Sequence, residues 1–91
     1  MQFSFDAHKR IRNLTKHGLD LADAHQVIIS GRSVTFEDLR FDYGEYRFVT
    51  LGQLGDSVVV IVTAEADDHI RIISMRKADR DEETLYYENL G

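Results

Sequence analysis

The side chains in this sequence best suited to moving protons or meeting an anion are Lys16, His17, Glu45, Arg47, Arg71, Arg76, Lys77 and Tyr86. Chemistry that needs only such groups is cleavage of RNA without a metal. A base takes the proton of a 2′-hydroxyl, which attacks the neighbouring phosphate. Arginine or lysine neutralises the charge building on the non-bridging oxygens, and an acid protonates the leaving 5′-oxygen. Histidine is the side chain type that titrates closest to neutral pH, so His17 is the natural proton-transfer group. Arginine suits the phosphate because its planar fork donates in pairs. Each residue also has a plainer role open to it. Lys16 and His17 complement the dipole at a helix C-terminus. Arg47 can pair with Glu45 on the surface, Arg71 with a loop acid across the sheet, and Tyr86 can be core.

These residues need elements to hold them. Phe3 and Phe5 alternate with polar neighbours as in a short edge strand. Asp6 reads as an N-cap, Ala7, Ile11 and Leu14 fall on one helical face, and Gly18 closes that helix. Asp20 caps a second, shorter helix with Leu21, Ala24, Val27 and Ile28 as its buried face, ended by Ser30 and Gly31. Residues 34–37 form a short extended segment, and 38–44 a polar and aromatic surface loop. From Tyr46 the period becomes that of strands: 46–54, 57–64 and 70–77, joined by tight connections at Gly55-Asp56 and at 66–69. Residues 58–62 are apolar throughout, so this strand is central. Asp79 and Glu82 form a capping box for a terminal helix on which Leu85 and either Tyr86 or Tyr87 pack back. The fold class is therefore α+β: two N-terminal helices, an antiparallel meander of three to four strands, and one C-terminal helix, in a single domain over 1–91.

Residues 70–78, IRIISMRKA, are the centre of this scheme. Arg71 and Arg76 are five positions apart, and unbroken alternation sends them to opposite sheet faces. They share a face only if a bulge intervenes or if Arg76 lies past the strand end. Of the two, Arg76, beside the helix cap, is the favoured functional residue.

A formal net charge of −5 argues against promiscuous phosphate binding. The distribution is uneven: Lys9, Arg10, Arg12 and Lys16 crowd the beginning, and acids gather at 65–68, at 79–83 and at Glu88. There is no cysteine, no histidine spacing of a zinc site, and no phosphate loop or dinucleotide fingerprint, so no metal or cofactor is expected. No apolar run reaches the roughly 18 residues of a membrane span, and the beginning lacks the order of a signal peptide, so the expected location is cytoplasmic.

Three separated motifs are together specific: Asn13-Leu14-Thr15-Lys16-His17-Gly18, Tyr43-Gly44-Glu45-Tyr46-Arg47, and the run from Arg71 to Ala78 followed by Glu82 and Tyr86. In this order, over nearly the whole chain, they resemble the BrnT toxins of bacterial type II toxin–antitoxin pairs. Phe5 stands where the family tends to have tryptophan, and Met75 where it often has alanine. The resemblance implies a RelE-like ribonuclease fold, metal-independent RNA cleavage and arrest of translation and growth. It implies a BrnA-type antitoxin, assembled as two toxin plus two antitoxin chains, that carries the DNA-binding domain for the operator. It points to Lys16, His17, Arg47 and Arg76 as catalytic, with Arg71, Glu45 and Tyr86 binding substrate. The competing expectation is a non-catalytic module that binds protein or nucleic acid.

Overall fold

The computed structural model describes residues 1–90. The chain runs through β1 (Gln2–Phe5), α1 (Ala7–His17), a 3-10 turn (Leu21–Asp23) leading directly into α2 (Ala24–Ile28), β2 (Val34–Glu37), β3 (Tyr46–Leu54), β4 (Ser57–Ala66), β5 (His69–Lys77) and α3 (Arg80–Leu90). The strands form one sheet in the order β1-β5-β4-β3-β2. Strands β2 to β5 pair antiparallel, as alternation and the short connections require, and β4 is central. The expected meander of three to four strands is nevertheless too small. β1 joins as a fifth strand and pairs parallel to β5, so the sheet is mixed.

The helix ends follow their local chemistry. Asp6 accepts from the His8 and Lys9 amides at 2.8 and 3.1 Å, and Gly18 closes α1 at φ 71 with its N–H on the Leu14 carbonyl. Asp79 and Glu82 make the capping box of α3: the Glu82 amide donates to Asp79 Oδ1 at 2.8 Å, and the Asp79 amide donates to Glu82 Oε1 at 2.9 Å. The second expected helix is shorter than a regular one. Asp20 caps only the 3-10 turn, and α2 spans five residues.

Apolar side chains fill both sides of the sheet. Val59, Ile61, Ile70, Ile72 and Met75 pack under Leu21, Ala24 and Val27 on one face. Leu51, Val58 and Val60 meet Tyr86 of α3 on the other. Gly52 is required on the first face, because a Cβ there would collide with Val27 Cγ1. On α3 it is Tyr86 that packs inward, while Leu85 and Tyr87 are exposed.

The first helix departs from the amphipathic reading. Ile11 is 63% exposed and Leu14 50%, and the buried residue of α1 is Asn13. β1 covers β5 only as far as Ile72, which leaves the Met75 peptide groups without a strand partner. Asn13 replaces that partner. Its Oδ1 accepts from the Met75 amide at 3.1 Å, and its Nδ2 donates to the Met75 carbonyl at 2.8 Å. A buried strand edge needs a donor and an acceptor side by side, and a carboxamide supplies both where an apolar stripe supplies neither.

Candidate active site

The pairing of β4 with β5 shifts between Val62 and Thr63: Val62 lies opposite Ser74, and Thr63 opposite Ile72. Ile73 is the extra residue of a bulge, and it resets the alternation of β5. Arg71 then falls opposite Ala64, and Arg76 opposite Val60, four residues apart on β4 and so on one face. Arg47 also lies opposite Ala64, from β3. The two arginines on either side of Ala64 sit roughly two strand spacings apart, about 10 Å, and Arg76 lies about 13 Å further along. All three occupy the face that α3 covers only in part. The half-buried Val49 and Val62 floor the space between them.

Carboxylates hold the arginines in place. Glu45 accepts from Arg47 Nε at 2.9 Å and, through both oxygens, from Arg71 Nη2 at 3.2 and 3.1 Å. The Arg47 guanidinium, with Arg71 beside it, keeps the Glu45 carboxyl below the usual carboxylate range. The Arg47 guanidinium also lies over the Tyr43 ring, 4.1 Å from its centroid. The loop that presents Tyr43 and Glu45 is fixed by Asp38, a buried carboxylate that accepts from Arg40 Nε and Nη2 and from the Tyr43 hydroxyl, each at 3.0 Å. Arg40 holds Asp38 well below the usual range.

Arg76 is bound more completely. Its Nη1 and Nη2 donate to Glu82 at 2.8 and 2.7 Å, and Nη1 also reaches the Lys77 carbonyl at 3.3 Å. The Arg76 fork lowers Glu82 from 4.5 to about 2. Arg71 by contrast engages a single nitrogen, and its side chain is 46% exposed. Arg47 likewise engages only its Nε but is less exposed, at 28%. Arg71 is therefore the most accessible of the three arginines, and the favoured Arg76 is the most committed.

The remaining candidates stand apart from this cluster. Tyr86 is fully buried, and its hydroxyl donates to the Arg32 carbonyl at 2.7 Å, the core role open to it in the sequence. Lys16 and His17 end α1, and among the described residues neither side chain forms a hydrogen bond or ion pair. Arg10 on the same helix points to Asp20 and the Phe5 ring, on the Ile72 face of the sheet. At about 100° per residue, Lys16 lies about 120° around the helix from Arg10, while His17 falls between Asn13 and Arg10.

Sequence reasoning had both plain pairings, Arg47 with Glu45 and Arg71 with a loop acid, but not that one carboxylate serves both. In the sequence Glu82 reads only as a cap, and nothing there shows the Arg76 fork. The Asp38–Arg40–Tyr43 brace is not legible there either. Alternating opposite charges at 38 and 40 were its only signal.

No helix is long and apolar enough to cross a membrane among the described residues. No curated protein matches the chain. A family model, described as the ribonuclease toxin BrnT of type II toxin–antitoxin systems, matches residues 5–82. That span includes both walls of the arginine face, Glu45 and Glu82. The chain belongs to the BrnT family of ribonuclease toxins, which implies an antitoxin partner.

Proposed function

We propose that the chain is a metal-independent endoribonuclease in which RNA lies on the bulged sheet face. The observation that carries this reading is the gathering of Arg47, Arg71 and Arg76 on one partly open face through the Ile73 bulge. Arg71 and Arg47 donate to the non-bridging oxygens of the scissile phosphate, where charge grows as the 2′-oxygen attacks. Arg76 holds a neighbouring phosphate by exchanging part of its Glu82 fork. Lys16 and His17 end α1 beside the β5 edge that Asn13 covers. The RNA runs from the arginine face over that edge, where Lys16 adds a cation and His17 carries the proton that the arginines cannot. Glu45 positions Arg47 and Arg71, and Tyr86 seats α3 beside Arg76 rather than touching RNA. The products are a 2′,3′-cyclic phosphate and a 5′-hydroxyl. In the cell this chemistry stops translation and growth until a BrnA-type antitoxin, in a two-plus-two assembly that reaches operator DNA through the antitoxin alone, covers the toxin. The fold is of the RelE-like kind, and the protein works in the cytoplasm.

The test is cleavage of a defined RNA by the isolated chain in excess chelator, with a matching substrate carrying a 2′-deoxy sugar at the cut. Cleavage of the first and not the second is expected. Arg71→Ala is expected to lower the rate by about 100-fold or more, and His17→Ala by a similar factor. Cleavage that requires added metal, or that survives both substitutions, would refute the mechanism. The second reading, a non-catalytic module, draws on the carboxylates already bound to all three arginines. It predicts folded protein with no cleavage and no growth arrest.

A further inference from the structure

On the opposite face, at the end of the sheet where β3 begins and β4 ends, the structure holds a cleft of about 870 Å³. Tyr46 and Glu65 face one another across β3 and β4, and Glu37 lies opposite Phe48, so all four side chains belong to the Ile72 face. The loop after β2 forms the outer wall. Leu39 is 77% exposed, Phe41 67% and Tyr46 68%, so three exposed large apolar side chains line the one cleft. No lysine, arginine or histidine lines the cleft. Glu37, Glu65 and Asp67 line it and form no ion pair among the described residues.

We infer that this cleft docks a basic segment of the antitoxin, one in which arginine or lysine alternates with large apolar side chains. The inference rests on the protein partner that the family implies. The charges select the occupant. RNA is repelled by unpaired carboxylates, and a neutral apolar peptide would bury those carboxylates without compensation. A basic apolar segment fills the aromatic surface and pairs the acids at its rim, the usual arrangement of an interface core and edge. The site also has a route to the arginine face. Tyr43 and Glu45 form part of the cleft wall, and the same two residues hold Arg47 and Arg71. An occupant therefore rests against the loop that sets the arginine geometry.

The experiment titrates the full chain with the small protein encoded by the adjacent reading frame, and separately with a short alternating Leu–Arg peptide. The variants are Glu37→Lys with Glu65→Lys, Tyr46→Ala, and Arg71→Ala, each checked for an unchanged melting transition. The expected result is a loss of about 100-fold in affinity for both probes on charge reversal, a loss of about tenfold or more for Tyr46→Ala, and less than about threefold change for Arg71→Ala. Antitoxin binding that stays within about threefold of wild type after charge reversal would overturn the proposal. So would sedimentation showing that the isolated chain dimerises through Tyr46, which would make a second copy the occupant. Failure of the wild type to bind the adjacent protein at all would instead remove the partner itself, a result separable from failure of the cleft.

Discussion

Removing the charge of Glu82 while keeping its shape separates its two jobs. Glutamine still closes the capping box, because its side-chain oxygen can accept the Asp79 amide at N3. It cannot answer the Arg76 guanidinium as an anion. The depression of Glu82 from 4.5 to about 2 corresponds to about 3 kcal/mol of preference for the charged carboxyl in the folded state. Glu82 is only 24% exposed, but Arg76 is 43% exposed, and water on the arginine side reduces this to about 2 kcal/mol. Glu82→Gln is therefore expected to lose about 2 kcal/mol at pH 7, a fall of about 8–15 °C in melting temperature for a domain of this size. The sign of the pH dependence follows from a lowered folded-state value. The stabilisation is present above about 4.5 and drains away as pH falls through about 2, below which the carboxyl is protonated in both states. Asp20, also lowered to about 2 by Arg10, titrates in the same window. The informative quantity is thus the gap between wild type and variant, measured by urea unfolding across the pH range. A gap below about 0.5 kcal/mol at neutral pH would show that the fork contributes little. A gap that stays constant down to about pH 2 would refute the assignment of the stabilisation to the Glu82 charge.

Asn13→Ala exposes the Met75 peptide groups to a dry edge without partners, and a loss of about 3 kcal/mol in urea unfolding is expected. Gly52→Ala drives a methyl into Val27 and is expected to cost about 2 kcal/mol; adding Val27→Ala makes room for it, so the double variant should lose less than the two single losses added together. Tyr86→Phe removes the hydroxyl from the Arg32 carbonyl but keeps the ring, and a loss of about 1 kcal/mol with cleavage rate preserved is the expected outcome of stability and activity assays.

Much of this fold could be read from the sequence because its signals are local. Asp6 and Gly18 bound α1, Gly55-Asp56 turns β3 into β4, and the Asp79–Glu82 pair starts α3, each by chemistry contained within a few residues. What was not legible depends on partners far along the chain. β1 finds β5 almost seventy residues later, and nothing in its four residues names that neighbour. The Ala7, Ile11 and Leu14 spacing describes an amphipathic helix correctly in period and wrongly in direction, because the demand of the Met75 edge turned Asn13 inward. The bulge is the clearest case. The run of three isoleucines and a serine carries no mark showing which residue is extra, yet that one residue decides whether Arg71 and Arg76 face the same way.

The bulge also changes what the carboxylates mean. Three guanidiniums on one face would repel one another, and the chain as a whole carries a net charge of −5. Glu45 between Arg47 and Arg71, and Glu82 on Arg76, leave the cluster with one net positive charge rather than three. They also fix each arginine in a direction, which flexible side chains would otherwise lose entropy to adopt on binding. A phosphate that entered the face would meet Arg71 and Arg47 with donors free, Arg47 lying over the Tyr43 ring. It would meet Arg76 only by displacing Glu82. In the proposed reaction these arginines are therefore unequal. Arg71 and Arg47 can strengthen their bonds as charge grows on the phosphate, while Arg76 must break a fork before it makes a contact. For Glu82→Gln the consequence is specific: the substitution that weakens the fold also releases Arg76. Tighter RNA binding by the less stable protein would place Arg76 in the substrate path. Unchanged binding would confine Arg76 to the structure of α3.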